Sequence, residues 1–177
     1  MMDNFKEDIV SSRSTLLPNI LYVISWVFVV IFGLYALLML QVLFVAFSVS
    51  SLLITALSAA AAVLLFLLKD NLKVEYEYTF TNGSLDFAKV LRGARRKELG
   101  SMNVANVAAC GHVAHDSFRR FLSMKDVEKK NWFLNRDGNL FYFYYVKENR
   151  KHMIIIEPSE EMVGMITRYV QAGVYQG

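Results

Sequence analysis

The chain is poor in the residues that most often carry chemistry. Its 177 residues include one cysteine, three histidines and two prolines. A single cysteine excludes an internal disulfide and suits a reducing compartment. The phosphate-binding loop G-x-x-x-x-G-K is missing, as are H-E-x-x-H, G-x-S-x-G and the acidic EF-hand loop. These absences remove the common signatures of nucleotide, zinc-protease, serine-hydrolase and calcium-loop chemistry. The largest absence is regional. From Asn19 to Leu68, fifty residues pass without one Asp, Glu, Lys, Arg or His.

A run of that length exceeds both a core helix and the apolar part of a signal peptide. As a single helix it would reach about 75 Å, against a hydrocarbon core of about 30 Å. Two spans fit, near Ile20–Leu40 and Val49–Leu68, with Gln41 to Ser48 turning between them. Residues 19–68 are therefore expected to form a transmembrane hairpin of a multi-pass protein in the cell membrane. Lys6 and Arg13 precede it and Lys69 and Lys73 follow it, while the turn carries no charge. The positive-inside rule then places both termini in the cytoplasm, and residues 1–18 become a cytoplasmic N-terminal segment. Neither span holds an ionisable group, which argues against a proton relay or an ion path through the hairpin alone. In the second span Ser51, Thr55 and Ala59 share a face at four-residue spacing, as do Ser58 and Ala62. Small faces let helices approach closely in lipid. This one either receives the first span of the same chain or meets another membrane protein or a second copy.

The remaining 109 residues, 69–177, have the size of one domain. In VEYEYTFTNGSLDF, Val74, Tyr76, Tyr78 and Phe80 alternate with polar residues, the pattern of a half-buried strand. Asn82-Gly83 predicts a two-residue hairpin turn, since both positions require positive φ. Only Lys69 to Lys73 separate this hairpin from the second span. Further strands are expected over Glu98–Ala109, Ser117–Met124, Lys130–Asn135, Leu140–Val146 and His152–Glu157, about seven in all. Pro158 ends the last. Ser159 then caps a helix with Glu160 and Glu161 in its first turn and Met162, Met165, Ile166, Tyr169 and Val170 on its apolar face. The fold class is an α+β membrane protein: a two-helix hairpin, then a small barrel or sandwich of the pleckstrin-homology-like (PH-like) kind, capped by its C-terminal helix.

VEYEYTFTNGSLDF followed by RRKEL, together with IIIEPSEEMVGMITRY, resembles a bacterial family of unknown function. Its members have two N-terminal transmembrane helices and a small C-terminal PH-like domain. The resemblance covers nearly the whole chain and implies architecture and topology, with no activity attached. It departs at Phe87 and Ala88, in the Ala109–Asp116 loop and in the terminal AGVYQG, none of which carries a catalytic pattern.

The densest polar cluster is AACGHVAHD, with Cys110, His112, His115 and Asp116. All are metal-ligand types, but four donors within seven residues close a tetrahedral site poorly. A Cys110–His112 nucleophile pair would also need an oxyanion site, and nothing marks one. No metal, cofactor or catalytic residue is assigned. The basic cluster Arg92, Arg95, Arg96 and Lys97 is a candidate for binding a partner or a lipid headgroup, since basic residues near an anionic leaflet gain roughly 1 kcal/mol each; a solvated turn is the alternative. The tail's net charge of +4 is too mild for nucleic acid. The function expected is a non-enzymatic, membrane-tethered interaction module, an accessory or scaffold subunit that docks a partner at the cytoplasmic membrane face. An anionic-lipid sensor using residues 92–97 is the rival. A small enzyme or metal protein using residues 110–116 is a third and weaker possibility.

Overall fold

The computed structural model describes residues 4–14 and 16–176. The chain divides into two units: Ser14–Val74 forms one, and the segments up to Arg13 and from Glu75 onward combine into the other. In the first unit, helix α1 runs Leu16–Val45 and helix α2 runs Val49–Leu68. The expected turn from Gln41 to Ser48 is thus too long. Gln41–Val45 contain no Gly, Pro or charge to stop a helix, so α1 continues through them and Ala46–Ser48 alone reverse the chain. At 1.5 Å per residue the helices are about 45 and 30 Å long. Both are long and apolar enough to cross a membrane. Pro18 falls in the first turn of α1, where a missing N–H leaves no bond unmade. Ser48 starts α2 with a reciprocal cap: Ser51 N donates to Ser48 Oγ at 3.1 Å and Ser48 N donates to Ser51 Oγ at 3.2 Å.

The second unit contains two sheets. Strands β1 (Phe5–Ser11), β2 (Val74–Thr81), β3 (Ser84–Leu91) and β4 (Arg95–Asn103) lie side by side in that order. The other sheet has β5 (Ala109–His112), β6 (Val127–Trp132), β7 (Phe141–Lys147), β8 (Arg150–Ile156) and β9 (Tyr175–Gln176), in the order β6-β8-β7-β5-β9. Helix α3 (Asp116–Leu122) follows β5, and helix α4 (Glu160–Tyr169) follows β8. Among the described residues nine strands form two separate sheets, where a barrel or sandwich of about seven was expected. Nor is the ladder closed: β4 and β6 each end a sheet and pair on one side only among the described residues.

Three elements differ from the sequence expectation for identifiable reasons. Within the N-terminal segment, Phe5–Ser11 is a strand of the domain's first sheet. Strand β1 escapes pattern reading because its inward residues include Lys6 and Asp8, while Phe5 and Ile9 face out. Asp8 accepts from Ser159 N at 2.7 Å and from Ser159 Oγ at 3.1 Å, and Lys6 pairs with Glu161. Ser117–Met124 is mostly the helix α3, because Phe118, Phe121 and Leu122 recur at three and four residues, not two. Finally, Ala109–His112, expected in a loop, is strand β5, because Ala109, Cys110 and Gly111 are small enough to lie buried beside β7.

Asn82 and Gly83 have φ of +48° and +92°, the turn that their dipeptide predicts. Strands β7 and β8 read as almost continuous apolar runs because both their faces are covered. Phe141, Phe143, Ile154 and Ile156 join Tyr78, Phe80, Leu85 and Phe87 and the α4 residues Met162, Val163 and Ile166 in the main core. On the other face Tyr142, Tyr144, Met153 and Ile155 pack with Phe118 and Phe121 of α3. Each large apolar side chain fully buried this way contributes about 1.5–3 kcal/mol. Ser159 caps α4, accepting from Met162 N at 3.2 Å.

The position of β1 changes the topology. Ser11 pairs with Glu75 in an antiparallel ladder, so the helical unit is an insertion into a β-hairpin.

Candidate functional site

The strand register decides what becomes of the basic cluster. Arg92 and Gly93, both at positive φ, make the β3–β4 turn. Leu91, Val90 and Lys89 oppose Arg95, Arg96 and Lys97. Neighbouring residues of a strand point to opposite faces, so Arg96 is separated from Arg95 and Lys97. Its Nε donates to Glu77 Oε2 at 2.7 Å. The four residues therefore form no single site. Lys89 takes the place of Arg96, since it lies directly across from Lys97 and shares its face.

Two residues further along that face, the sheets part. Phe87 opposes Gly100 and Ala88 opposes Glu98, leaving Leu99 as the extra residue of a bulge, with Gly100 at φ +142°. A cleft of about 410 Å³ opens here between Leu99–Ser101 of β4 and the strands β6, β7 and β8. Its floor is aromatic. Trp132 of β6 lies 4.8 Å from Phe87, ring centre to ring centre, and Tyr145 stacks on His152 at 5.2 Å. Burial, then the nearby Glu128 carboxylate, push the Tyr145 phenol above its ordinary value, so it stays a hydrogen-bond donor. The rim is cationic, with Lys130, Lys147 and Arg150 against the single lining carboxylate Glu148. Glu128, beside the cleft, lies 3.4 Å from Lys130 Nζ and 3.2 Å from His152 Nδ1. Lys147 and Arg150 pair across the β7–β8 turn and have no salt bridge among the described residues. Such a cleft attracts anions and offers flat π faces. Its residues come from five strands of the chain, so no local motif announces them; the one local signal is Lys147 and Arg150 flanking a Glu-Asn turn.

The Cys110–Asp116 segment is distributed over separate structural tasks. Cys110 is wholly buried in the main core, and its apolar surroundings push the thiol up to about 12. His112 Nδ1 lies 2.8 Å from Asn139 Oδ1, and its ring meets Phe141 edge-on. His115 caps α3, accepting from Ser117 N at 3.3 Å. Among the described residues, no three His, Cys, Asp or Glu side chains converge in a way that could hold a metal ion.

In α2, the buried and half-buried residues are Ser51, Thr55, Ser58, Ala61, Ala62 and Leu65, the row turned towards α1. Ala59, placed on this face by the four-residue spacing, is exposed. The 3.6-residue period carries the row from Thr55 to Ser58 instead. The hydroxyls bond within their own helix: Thr55 Oγ1 donates to Ser51 O and Ser58 Oγ to Ile54 O, both at 2.8 Å. Beyond α2, Lys69 is buried, with Nζ 3.9 Å from the Phe66 ring and 5.0 Å from that of Trp26.

A second polar cluster fastens β1. Glu157 accepts from Asn135 N at 3.1 Å and from Asn135 Nδ2 at 3.0 Å, and Asn135 Nδ2 also lies 3.1 Å from Ser11 O. Arg13 N donates to Asn135 Oδ1 at 2.9 Å, and its guanidinium reaches Asp137 at 3.0 Å.

The family model described as Bacterial PH-like domain (DUF6106) matches residues 2–176. No curated protein and no solved structure matches the chain.

Proposed function

The chain belongs to the DUF6106 family of bacterial PH-like domains, and we propose that it is a non-enzymatic interaction module tethered to the membrane, docking a partner at the cytoplasmic face. The observation that carries this reading is the insertion of two apolar helices into the β1–β2 hairpin, which joins the domain to them at both ends. Arg13 before the insertion and Lys69 and Lys73 at its end supply the cytoplasmic bias in charge. The cleft supports docking because it offers Trp132, Tyr145 and Arg150, the residue types in which binding hot spots are richest.

The test uses the full chain. Membrane fractions washed with alkaline carbonate should retain it. In a Cys110→Ala background, Ser123→Cys should react with an impermeant maleimide only after the cells are opened. In mild detergent the chain should co-purify at fixed stoichiometry with a membrane or cytoplasmic partner, or with a second copy. Extraction by carbonate, or recovery only as a lone monomer, contradicts the reading.

One observation favours lipid sensing as a second reading. Lys89 lies across from Lys97 and close to Arg95, so a basic row survives the loss of Arg96 to Glu77. Under that reading, the Arg95→Glu/Lys97→Glu variant retains fewer anionic phospholipids in native mass spectrometry; equal retention removes it.

A further inference from the structure

We propose that the cleft receives an acidic segment of the partner in extended conformation, which adds as a strand to the free edge of β6. The inference rests on the interaction-module reading and names its docking surface. Strand β6 pairs with β8 alone among the described residues, and β4 with β3 alone. Each therefore presents a row of backbone N–H and C=O groups without a neighbouring strand. Both edges line the same cleft, Leu99–Ser101 on one side and Lys130 and Trp132 on the other. A strand laid there meets an edge that can accept it.

The two edges are not equivalent. The bulge at Leu99 breaks the regular spacing of β4, whereas β6 runs six residues in unbroken parallel register with β8. That makes β6 the receiving edge. Glu128, Lys130 and Trp132 alternate on its inner face, opposite His152, Ile154 and Ile156, so alternate side chains of an added strand would meet Lys130 and Trp132. Lysines on an edge strand normally deter strand addition. Here Lys130 on that edge, joined by Lys147 of β7 and Arg150 of β8, selects the occupant instead: the three cations outnumber Glu128 and Glu148, repel a basic segment and attract an acidic one. Charge sets the sign of the ligand and the edge sets its conformation.

The probe is a fluorescent acetyl-Glu-Val-Glu-Thr-Glu-Val-Glu-Thr amide, titrated against the full chain in maltoside micelles and followed by anisotropy. Saturable binding is expected. It should weaken roughly tenfold or more in the Lys147→Glu/Arg150→Glu variant, whose altered residues are exposed at a turn. It should also weaken when alternate peptide nitrogens are methylated, which removes one row of donors and leaves the charge intact. That second arm needs no altered protein and so does not depend on the variant folding. Absence of saturable binding overturns the proposal, as does equal affinity for the methylated peptide or an unaffected double variant. Retention of phosphatidylglycerol that falls in the double variant, without peptide binding, would assign the cleft to lipid headgroups and equally overturn it. A partner that co-purifies with the wild type and the double variant alike would keep the interaction module and remove this surface from it.

Discussion

Glu157 ties the second sheet to the strand that arrives from the far end of the sequence. It is 8% exposed, and its carboxylate holds Asn135, which in turn holds Ser11 and Arg13. Glu157→Ala strands buried donors, and a loss of about 2–3 kcal/mol is expected in chemical denaturation. Gly138 shares the site: a Cβ there would sit 2.3 Å from Glu157 Oε1, so Gly138→Ala should destabilise through the same contact. Cys110 and Tyr78 predict the response to pH. Burial raises both acids above their ordinary values, the thiol to about 12 from 9.0. A group raised in the fold keeps its full stabilising effect below its unfolded value and loses it as pH climbs through the folded one. The melting temperature should hold from pH 7 to 8.5 and fall from about pH 9 towards 12, less steeply in Cys110→Ala. A profile without that fall would contradict the burial of both groups. At this scale the sequence identifies the cations but not their grouping, because a run such as Arg95-Arg96-Lys97 is split by the pleat of a strand.

Among the elements, apolar patterning identified β2, β3 and α4 by their period, and α1, α2, β7 and β8 by their nearly unbroken apolar runs. It missed β1, whose inward side chains are Lys6, Asp8 and Val10, two of them matched to polar groups at the start of α4. It mistook α3 for a strand because a segment this short spans only two helical turns, too few for the three- and four-residue spacing of Phe118, Phe121 and Leu122 to stand out. The β7–β8 turn shows a local cost that pattern reading does not weigh. Glu148 and Asn149 both adopt positive φ, at +51° and +59°, a region that Glu occupies with strain. Replacing the pair with Asn-Gly should stabilise the protein by roughly 1 kcal/mol in denaturant melts. No gain would mean that the turn is not built this way. At the other edge of the sheet, a Cβ on Gly111 would stand 2.3 Å from Gln176 O. Gly111→Ala should therefore displace β9 and increase amide exchange at Tyr175 and Gln176.

For the molecule as a whole, the sequence makes the division between apolar hairpin and β-rich domain plain, because fifty uncharged residues interrupt an otherwise charged chain. It conceals that the domain begins before the hairpin. A fragment starting at residue 69 lacks β1 and exposes the edge of β2, and should aggregate. Joining Arg13 to Glu75 through a Gly-Asn-Gly loop, with residues 14–74 removed, should instead yield a soluble, cooperatively melting domain. The cleft is equally a property of the whole, since the register of two sheets assembles it. In the proposed role, this cleft docks a protein partner while the helices hold the chain in the membrane. The most direct test is in-cell photo-crosslinking from benzoylphenylalanine at Ser101, which lines the cleft, and at Ser123, which lies outside it. One discrete adduct in the membrane fraction from Ser101, absent from Ser123 and lost in Lys147→Glu/Arg150→Glu, is predicted; no adduct, or the same adduct from both positions, would contradict the claim.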